Sequence, residues 1–339
     1  MPMPAKGELA LVLQKRPDPR HSAVPTHAKR KRKREYPEGS RKEFLENCKS
    51  GKYNSVKAIY RSNVSTSITS QFDEELLAVL PPSVKYICHN GAGYDNIDIS
   101  ARTIKGISVS STPQAVDNAT ADIATWLMIG ALRRISIPYF AIQKNQWRGA
   151  ANLGYDPQNR VLGILGMGGI GRALAHRARA FNMKIIYHNR KPLSDELARD
   201  AIYVSFDELL SQSDVISLNL SLNASTRHII SSNEFEKMKD GVVVVNTARG
   251  PLIDEAALVG ALESGKVFSP GLDVFEEEPK VHPGLLNNDN VVILPHMGTS
   301  TFETQADMEL LVIANLKKAI KEDKLLTQVP EQVKPESNM

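Results

Sequence analysis

Three side chains able to do acid–base or electrostatic work each follow a short apolar run. Arg249 comes after GVVVVNTA, Glu278 after the LDVF stretch and His296 after NVVILP. In open parallel sheets the ligand crevice lies beyond the carboxyl ends of the strands, so charged residues at those ends are candidates for chemistry. Singly, each has a plainer reading: Arg249 as a turn arginine, Glu278 as one acid of a solvated EEE run, His296 as a core histidine bonded to backbone. Jointly they fit the reduction of a 2-oxo acid, which needs a hydride donor, a cation to hold the carboxylate and polarise the carbonyl, and an acid to protonate the developing alkoxide. Arg249 can be the cation and His296 the acid. A neighbouring carboxylate favours the imidazolium and raises the histidine pKa toward a useful range, the role open to Glu278. Near the end of VKYIC lies a small-residue loop, Asn90, Gly91, Ala92 and Gly93, whose free backbone N–H groups could hold a carboxylate.

The hydride donor has its own signature. From Val161 to Lys191 the chain reads VLGILGMGGIGRALAHRARAFNMKIIYHNRK: an apolar strand, a glycine turn, an amphipathic helix and a second strand. Gly166, Gly168 and Gly171 satisfy G-x-G-x-x-G at the position a phosphate-binding turn requires. Gly166 permits the tight turn, Gly168 lets backbone approach a pyrophosphate and Gly171 lets helix and strand pack closely, while the helix N-terminus supplies oriented N–H groups. An NAD-type site carries Asp or Glu at the end of the second strand to hold the ribose 2′-hydroxyl. Here Phe181 to Lys191 contains no carboxylate and the tip reads His188, Asn189, Arg190, Lys191. A guanidinium can pair with a 2′-phosphate that an acid would repel, so NADPH is expected in preference to NADH. The alternative is that Arg190 and Lys191 are a solvated strand end, and that Tyr187 and His188 simply pack beside an adenine.

The elements that must position these residues follow from the pattern. Short apolar strands (LALVL at Leu9–Leu13, SVKAIY, SVKYIC, KGISVS, then DVISLNL, GVVVVNT and NVVILP) alternate with helical stretches, which signals parallel sheet. A long apolar helix is expected from Asn118 to roughly Ile137, ending before Pro138. It is apolar on more than one face, which suits a domain junction or a subunit interface and favours a homodimer. The last helix, Phe302 to Lys321, is expected to pack back on the first unit, and the polar tail 331–339 to be mobile.

At 339 residues with 42% hydrophobic composition the chain is long enough for two domains with their own cores. It has no apolar run of about 18 residues, so no membrane span is expected. The N-terminus lacks the layout of a secretory signal and is poor in Arg and Ser for a transit peptide. Cys48 and Cys88 form no disulfide framework or zinc pattern, which fits a reducing, cytoplasmic compartment without a metal site. The formal charge of +4 is local: six of 42 basic residues form one block, Lys29 to Arg34, and without them 36 basic residues face 38 acidic ones. That gives no ground for reading the protein as a whole as nucleic-acid binding. KRKRKR could be a nuclear import signal or an anion-binding arm, although such blocks are more often solvated loops.

CHNGAGYDNID, GILGMGGIGR, VNTARGPLIDEAAL, GLDVFEEEP and ILPHMGTST, in this order, closely resemble the D-isomer-specific 2-hydroxyacid dehydrogenases, and most of all the fungal glyoxylate (hydroxypyruvate) reductases. The resemblance runs from about Glu35 to Gln328. It implies an α/β protein of two doubly wound parallel-sheet domains: a Rossmann cofactor domain, 112–301, inserted into a flavodoxin-like substrate domain, 1–111 with 302–330. It also implies Arg249, Glu278 (rather than Glu276 or Glu277) and His296 as the active-site residues, with Ala92 and Gly93 binding substrate carboxylate through backbone amides. Asp273 would meet the nicotinamide carboxamide, Thr247 and Ala248 its ribose, and the Gly169 and Ile170 amides the pyrophosphate, with Gly298 among the cofactor-binding residues. Arg190 stands where NADPH-preferring relatives carry a basic residue.

The sequence departs from the family at three places. Ser221 replaces a proline beside the adenine, Asp122 replaces a glutamate in the first long helix, and Val12 to Arg34 is short and basic where relatives have a full helix. Loss of that helix would expose apolar sheet surface. A different outcome is also open: transcriptional corepressors share the fold and keep all three catalytic residue types, so a dinucleotide-sensing interaction protein is the rival. Formate dehydrogenase is disfavoured by Glu278, where that group carries an amide, and phosphoglycerate dehydrogenase by the basic strand end.

Overall fold

The computed structural model describes Leu9–Leu13, residues 39–150 and residues 152–333. The basic block Lys29–Arg34 and most of the shortened Val12–Arg34 region lie outside the described residues, as does the tail from residue 334. The chain divides into two compact units, one running to Ala115 and resuming at Thr301, the other Val116–Ser300. The divisions thus fall at 115/116 and 300/301, beside the expected 111/112 and 301/302.

The first unit holds a parallel sheet of β1 (Leu9–Leu13), β2 (Val56–Ser62), β3 (Tyr86–Asn90) and β4 (Ser108–Ser110), in that order among the described residues. Both faces are covered, so its strands read as apolar runs rather than alternations. One face packs Ile59, Ile87 and Val109 against Phe44 and Leu45 of the Arg41–Lys49 helix, which a Ser40/Glu43 capping box starts. The other packs Ala58, Tyr60, Tyr86 and Cys88 against Val312, Leu316 and Ala319 of the Phe302–Glu322 helix. The expected return of the last helix onto the first unit is therefore seen. Its carboxyl end is tied down where Lys57 Nζ meets Asp323 at 3.1 Å. Leu11 and Leu13 of β1 are buried. The start of the supposed mobile tail is anchored: Gln332 Oε1 accepts from the Val109 amide at 2.8 Å and its Nε2 donates to Ile107 O at 2.9 Å. A side chain that completes a strand's backbone hydrogen bonds holds its own chain in place, and residues 331–333 form an ordered turn instead.

The second unit is built on a seven-stranded parallel sheet ordered β11-β10-β9-β8-β5-β6-β7. Its strands are β5 (Val161–Leu165), β6 (Lys184–His188), β7 (Ile202–Tyr203), β8 (Val215–Leu218), β9 (Val242–Asn246), β10 (Val267–Leu272) and β11 (Val292–Ile293). The order reverses at β5, between β6 and β8, the place where such sheets open a crevice for a ligand. Helices cover both faces, with Leu127, Met128, Leu174 and Ala175 on one and Leu209, Leu210, Phe235 and Leu258 on the other.

The long apolar helix differs from expectation. It runs Asp117–Leu132 and stops; Arg134 turns the chain with φ 49°, and a second helix, Ser136–Gln143, follows. Pro138 does not end a helix here. It sits in the first turn of the second, where a missing N–H costs no hydrogen bond. Burial does extend around more than half of the helix, with Ala121, Ala124, Leu127, Met128, Ala131 and Leu132 in the core against the Gly169–Arg179 helix and the sheet, while Trp126 is 49% exposed. Cys48 and Cys88 are free and buried. Among the described residues no helix is long and apolar enough to cross a membrane, and no group of three His, Cys, Asp or Glu could hold a metal.

Candidate active site

Because all seven strands of the second sheet run parallel, their carboxyl ends share one edge, and four of the five sequence motifs continue from that edge. β5 feeds the glycine turn. Gly166 has φ 98°, and a Cβ there would stand 2.8 Å from the Asn219 backbone, so only glycine fits. A Cβ at Gly168 would meet nothing within 4 Å, which leaves open space over the start of the Gly169–Arg179 helix for a phosphate. Asn219 Nδ2 is tied to Ser217, and Asn189 Oδ1 accepts from the Met167 amide at 2.7 Å, so the tip of β6 braces the turn. Arg190 is exposed, as is Lys191. His188 donates from Nδ1 to Val204 O at 2.8 Å and stacks on Tyr203. Tyr187 is core: its ring is buried and its hydroxyl accepts from the Leu193 amide.

β9 feeds the Thr247–Arg249 turn. Asn246, buried at the end of that strand, accepts from the Ala248 amide at 3.0 Å and donates to Arg249 O at 2.8 Å, which shapes the turn from inside. Arg249 Nη1 donates to Ala248 O at 2.7 Å. Thr247 Oγ1 is buried without a hydrogen-bond partner among the described residues, the state of a hydroxyl shaped to meet a ligand. An open phosphate cradle and an orphaned hydroxyl fit a dinucleotide lying along this edge.

β10 and β11 supply the acid–base pair. His296 Nδ1 lies 2.8 Å from Glu278 Oε2, and Glu278 Oε1 accepts from the Phe275 amide at 3.1 Å. With Nδ1–H donating to the carboxylate, Nε2 is the nitrogen left to meet a substrate. Burial pushes the Glu278 carboxyl up, but the His296 hydrogen bond and charge, the Phe275 amide and the Arg249 charge together hold it below its usual value. Arg249, Glu278 and His296 are thus one electrostatic group. His296 adopts φ 52°, a left-handed conformation uncommon for a side-chain-bearing residue. Asp273 imposes it: its carbonyl accepts from the His296 amide at 2.7 Å, and its carboxylate oxygens accept from the Met297 and Gly298 amides at 2.8 Å each. Asp273 is 1% exposed, so in this structure it braces the His296 turn. Ala92 and Gly93 lie in the first unit, in the loop after β3.

The sequence profile of the D-isomer specific 2-hydroxyacid dehydrogenase NAD-binding domain matches residues 125–298. Over 298 residues the chain is 65% identical to 4-methyl-2-oxopentanoate reductase A of Aspergillus oryzae, covering 88% of this chain and 91% of that protein. This chain belongs to the D-isomer specific 2-hydroxyacid dehydrogenases. The dehydrogenase is also 46% identical to glyoxylate reductase 1 of Saccharomyces cerevisiae, with 86% of each covered. Among solved structures, a glyoxylate reductase from Paecilomyes thermophila superposes with a TM-score of 0.92 at 62% identity, covering 98% of this chain and 100% of that one. A nicotinamide dinucleotide and a 2-oxo or 2-hydroxy acid are therefore the chemistry of this dehydrogenase.

Sequence reasoning overlooked two supports. Glu276 lies in the EEE run and carries no chemistry of its own, yet one oxygen meets His228 Nε2 at 2.5 Å and the other accepts from the Glu255 amide at 3.1 Å. Glu255 Oε1 reciprocates by accepting from the Glu276 amide at 2.8 Å, so the Arg249 and Glu278 segments are clasped together. Asn246 is the other; its place at a strand end before the TARG turn was the available signal. Asp122, the unexplained departure, pairs with Arg177 at 2.6 Å, and Ser221 is exposed.

Proposed function

We propose that this dehydrogenase reduces a small 2-oxo acid, glyoxylate or hydroxypyruvate, to glycolate or D-glycerate with NADPH as the preferred reductant. The observation that carries the reading is the 2.8 Å bond between Glu278 and His296 Nδ1 within the field of Arg249. Thr247 and Ala248 would hold the ribose of a nicotinamide that, reduced, would supply the hydride. Arg249 holds the substrate carboxylate and polarises the carbonyl; His296 delivers a proton from Nε2 to the developing alkoxide; Glu278 accepts from Nδ1 and keeps the ring oriented. The amides of Ala92 and Gly93 take the substrate carboxylate. The preference for NADPH rests on Arg190 and on the lack of a carboxylate from Phe181 to Lys191.

A second substrate reading has an observation in its favour. A cavity of about 400 Å³ is lined by Phe275, Val281, Ile293 and Leu294, with Glu278 and His296 at its wall. An apolar space beside the acid–base pair suits a branched 2-oxo acid, the substrate named for the Aspergillus oryzae relative. A spectrophotometric panel of NADPH and NADH against glyoxylate, hydroxypyruvate, pyruvate, phenylpyruvate and 4-methyl-2-oxopentanoate separates the readings. The highest kcat/KM with NADPH and glyoxylate or hydroxypyruvate is expected; no turnover of any 2-oxo acid would leave the corepressor-like reading. We place the protein in the cytoplasm as a homodimer, and imaging of the chain with and without Lys29–Arg34 tests nuclear entry.

A further inference from the structure

At the carboxyl end of β2 the first unit buries a guanidinium that no step above uses. Arg61 is 0% exposed. Its Nη1 donates to His89 Nδ1 at 3.0 Å and to Asn96 Oδ1 at 2.9 Å, its Nη2 to Thr66 Oγ1 at 3.3 Å, and its Cζ lies 5.2 Å from the centre of the Phe72 ring. Burial pushes its pKa down to about 10 against the pull of Asp95. Nε has no hydrogen-bond partner among the described residues. Holding a charge away from water is costly, and an apolar side chain of similar volume fills space at less expense. Packing alone does not account for Arg61.

The geometry dictates the state of the next residue. A guanidinium only donates, so His89 Nδ1 must offer its lone pair and the ring must carry its proton on Nε2. His89 is itself 0% exposed. Its Nε2 lies 3.0 Å from Gly93 O and donates to it. Across a trans peptide the Tyr94 N–H is antiparallel to that carbonyl and points away from the ring. The same loop is held at its start: the Gly91 amide donates to Thr112 Oγ1 at 3.1 Å, and the Thr112 amide to Gly91 O at 3.0 Å. A Cβ at Gly91 would stand 2.6 Å from His89 Nε2, so ring and loop are in close contact.

We infer that Arg61 and His89 form a positioning pair for the substrate-carboxylate loop, the guanidinium setting the His89 tautomer and the Nε2–H holding the Gly93 carbonyl inward. The pair leaves the loop's outward N–H groups in one arrangement, with a buried positive charge behind them for an arriving carboxylate. The inference rests on the reading of Asn90–Gly93 as the carboxylate site.

Two variants and one spectrum test it. His89→Phe keeps burial and removes both ring hydrogen bonds; it should raise KM for the 2-oxo acid about tenfold or more, change kcat little and leave NADPH affinity as it is. His89→Gln, which retains a donor for Gly93 O, should recover most of the loss. If the glutamine variant is as impaired as the phenylalanine variant, or if neither changes KM, the pairing is overturned. Ala92→Pro removes a loop amide directly: a raised KM there with unchanged KM in His89→Phe overturns the pair and spares the loop, whereas unchanged KM in both overturns the loop reading as well. Wild-type protein avoids any folding defect. With isotope-labelled histidine, His89 should show a neutral Nε2–H ring whose signal shifts on saturation with oxamate, and a cationic ring or an unmoved signal would end the proposal.

Discussion

At the scale of single residues, the proposed chemistry reduces to what Glu278 and Asp273 do to His296. One fixes the proton on the ring and the other fixes the backbone that presents it. His296→Ala should lower turnover by about 10²–10⁴-fold, the usual worth of a positioned proton donor, and Arg249→Ala should do so with a rise in KM as well. Steady-state kinetics at saturating NADPH check both. Glu278 permits a signed pH statement. Its folded-state carboxyl lies below the ordinary 4.5, so it contributes stability that is fully present above that value and lost as pH falls through the folded value. Glu278→Gln should therefore flatten the acid side of a thermal-unfolding pH series. Arg190→Ala should reduce the ratio of kcat/KM for NADPH over NADH by about tenfold, measured with one 2-oxo acid; an unchanged ratio removes Arg190 from cofactor choice.

At the scale of elements, the site depends on two loops that follow different strands being pressed into one surface. Gly250, just after Arg249, lies against the Phe275 backbone: a Cβ there would stand 1.9 Å from the Phe275 carbonyl carbon. The Glu276–Glu255 clasp with His228 closes the same seam. Gly250→Ala should cost about 3 kcal/mol of unfolding free energy and push Arg249 away from Glu278, with activity falling further than stability accounts for. Denaturant unfolding and kcat/KM on the same preparation separate the two effects. The elements themselves were largely legible: the strands at Leu9, Val161, Lys184 and Val242 and the last helix follow from apolar runs and caps. The break after Leu132 was not, because it rests on a left-handed Arg134 whose local sequence carries no glycine or asparagine signal.

At the scale of the whole molecule, the second unit presents apolar side chains that its own core does not cover. Tyr139, Phe140 and Ile142 are exposed, Trp147 is 77% exposed and Leu153 94%. Large apolar side chains left exposed along one stretch of chain, residues 139–153, suit an association site and accord with the proposed homodimer. Light scattering should give a dimer mass, and the double variant Trp147→Ser with Leu153→Ser should move it toward the monomer; a monomeric wild-type protein would exclude the dimer.

The order of motifs along the chain was enough to place strand ends, a dinucleotide turn and a cation, an acid and an imidazole among the candidates, since each motif encodes a local requirement: a turn only glycine makes, or a charge beyond a strand. Which of three consecutive glutamates meets the histidine was known from resemblance alone, and the structure supplied the reason in the Phe275 and His296 contacts of Glu278. The braces Asp273, Glu276, and Arg61 with His89 were beyond reach of the linear pattern. Their partners lie on other strands or loops, or depend on how a turn folds back, and hydrogen bonds of that kind exist only once packing has brought the segments together.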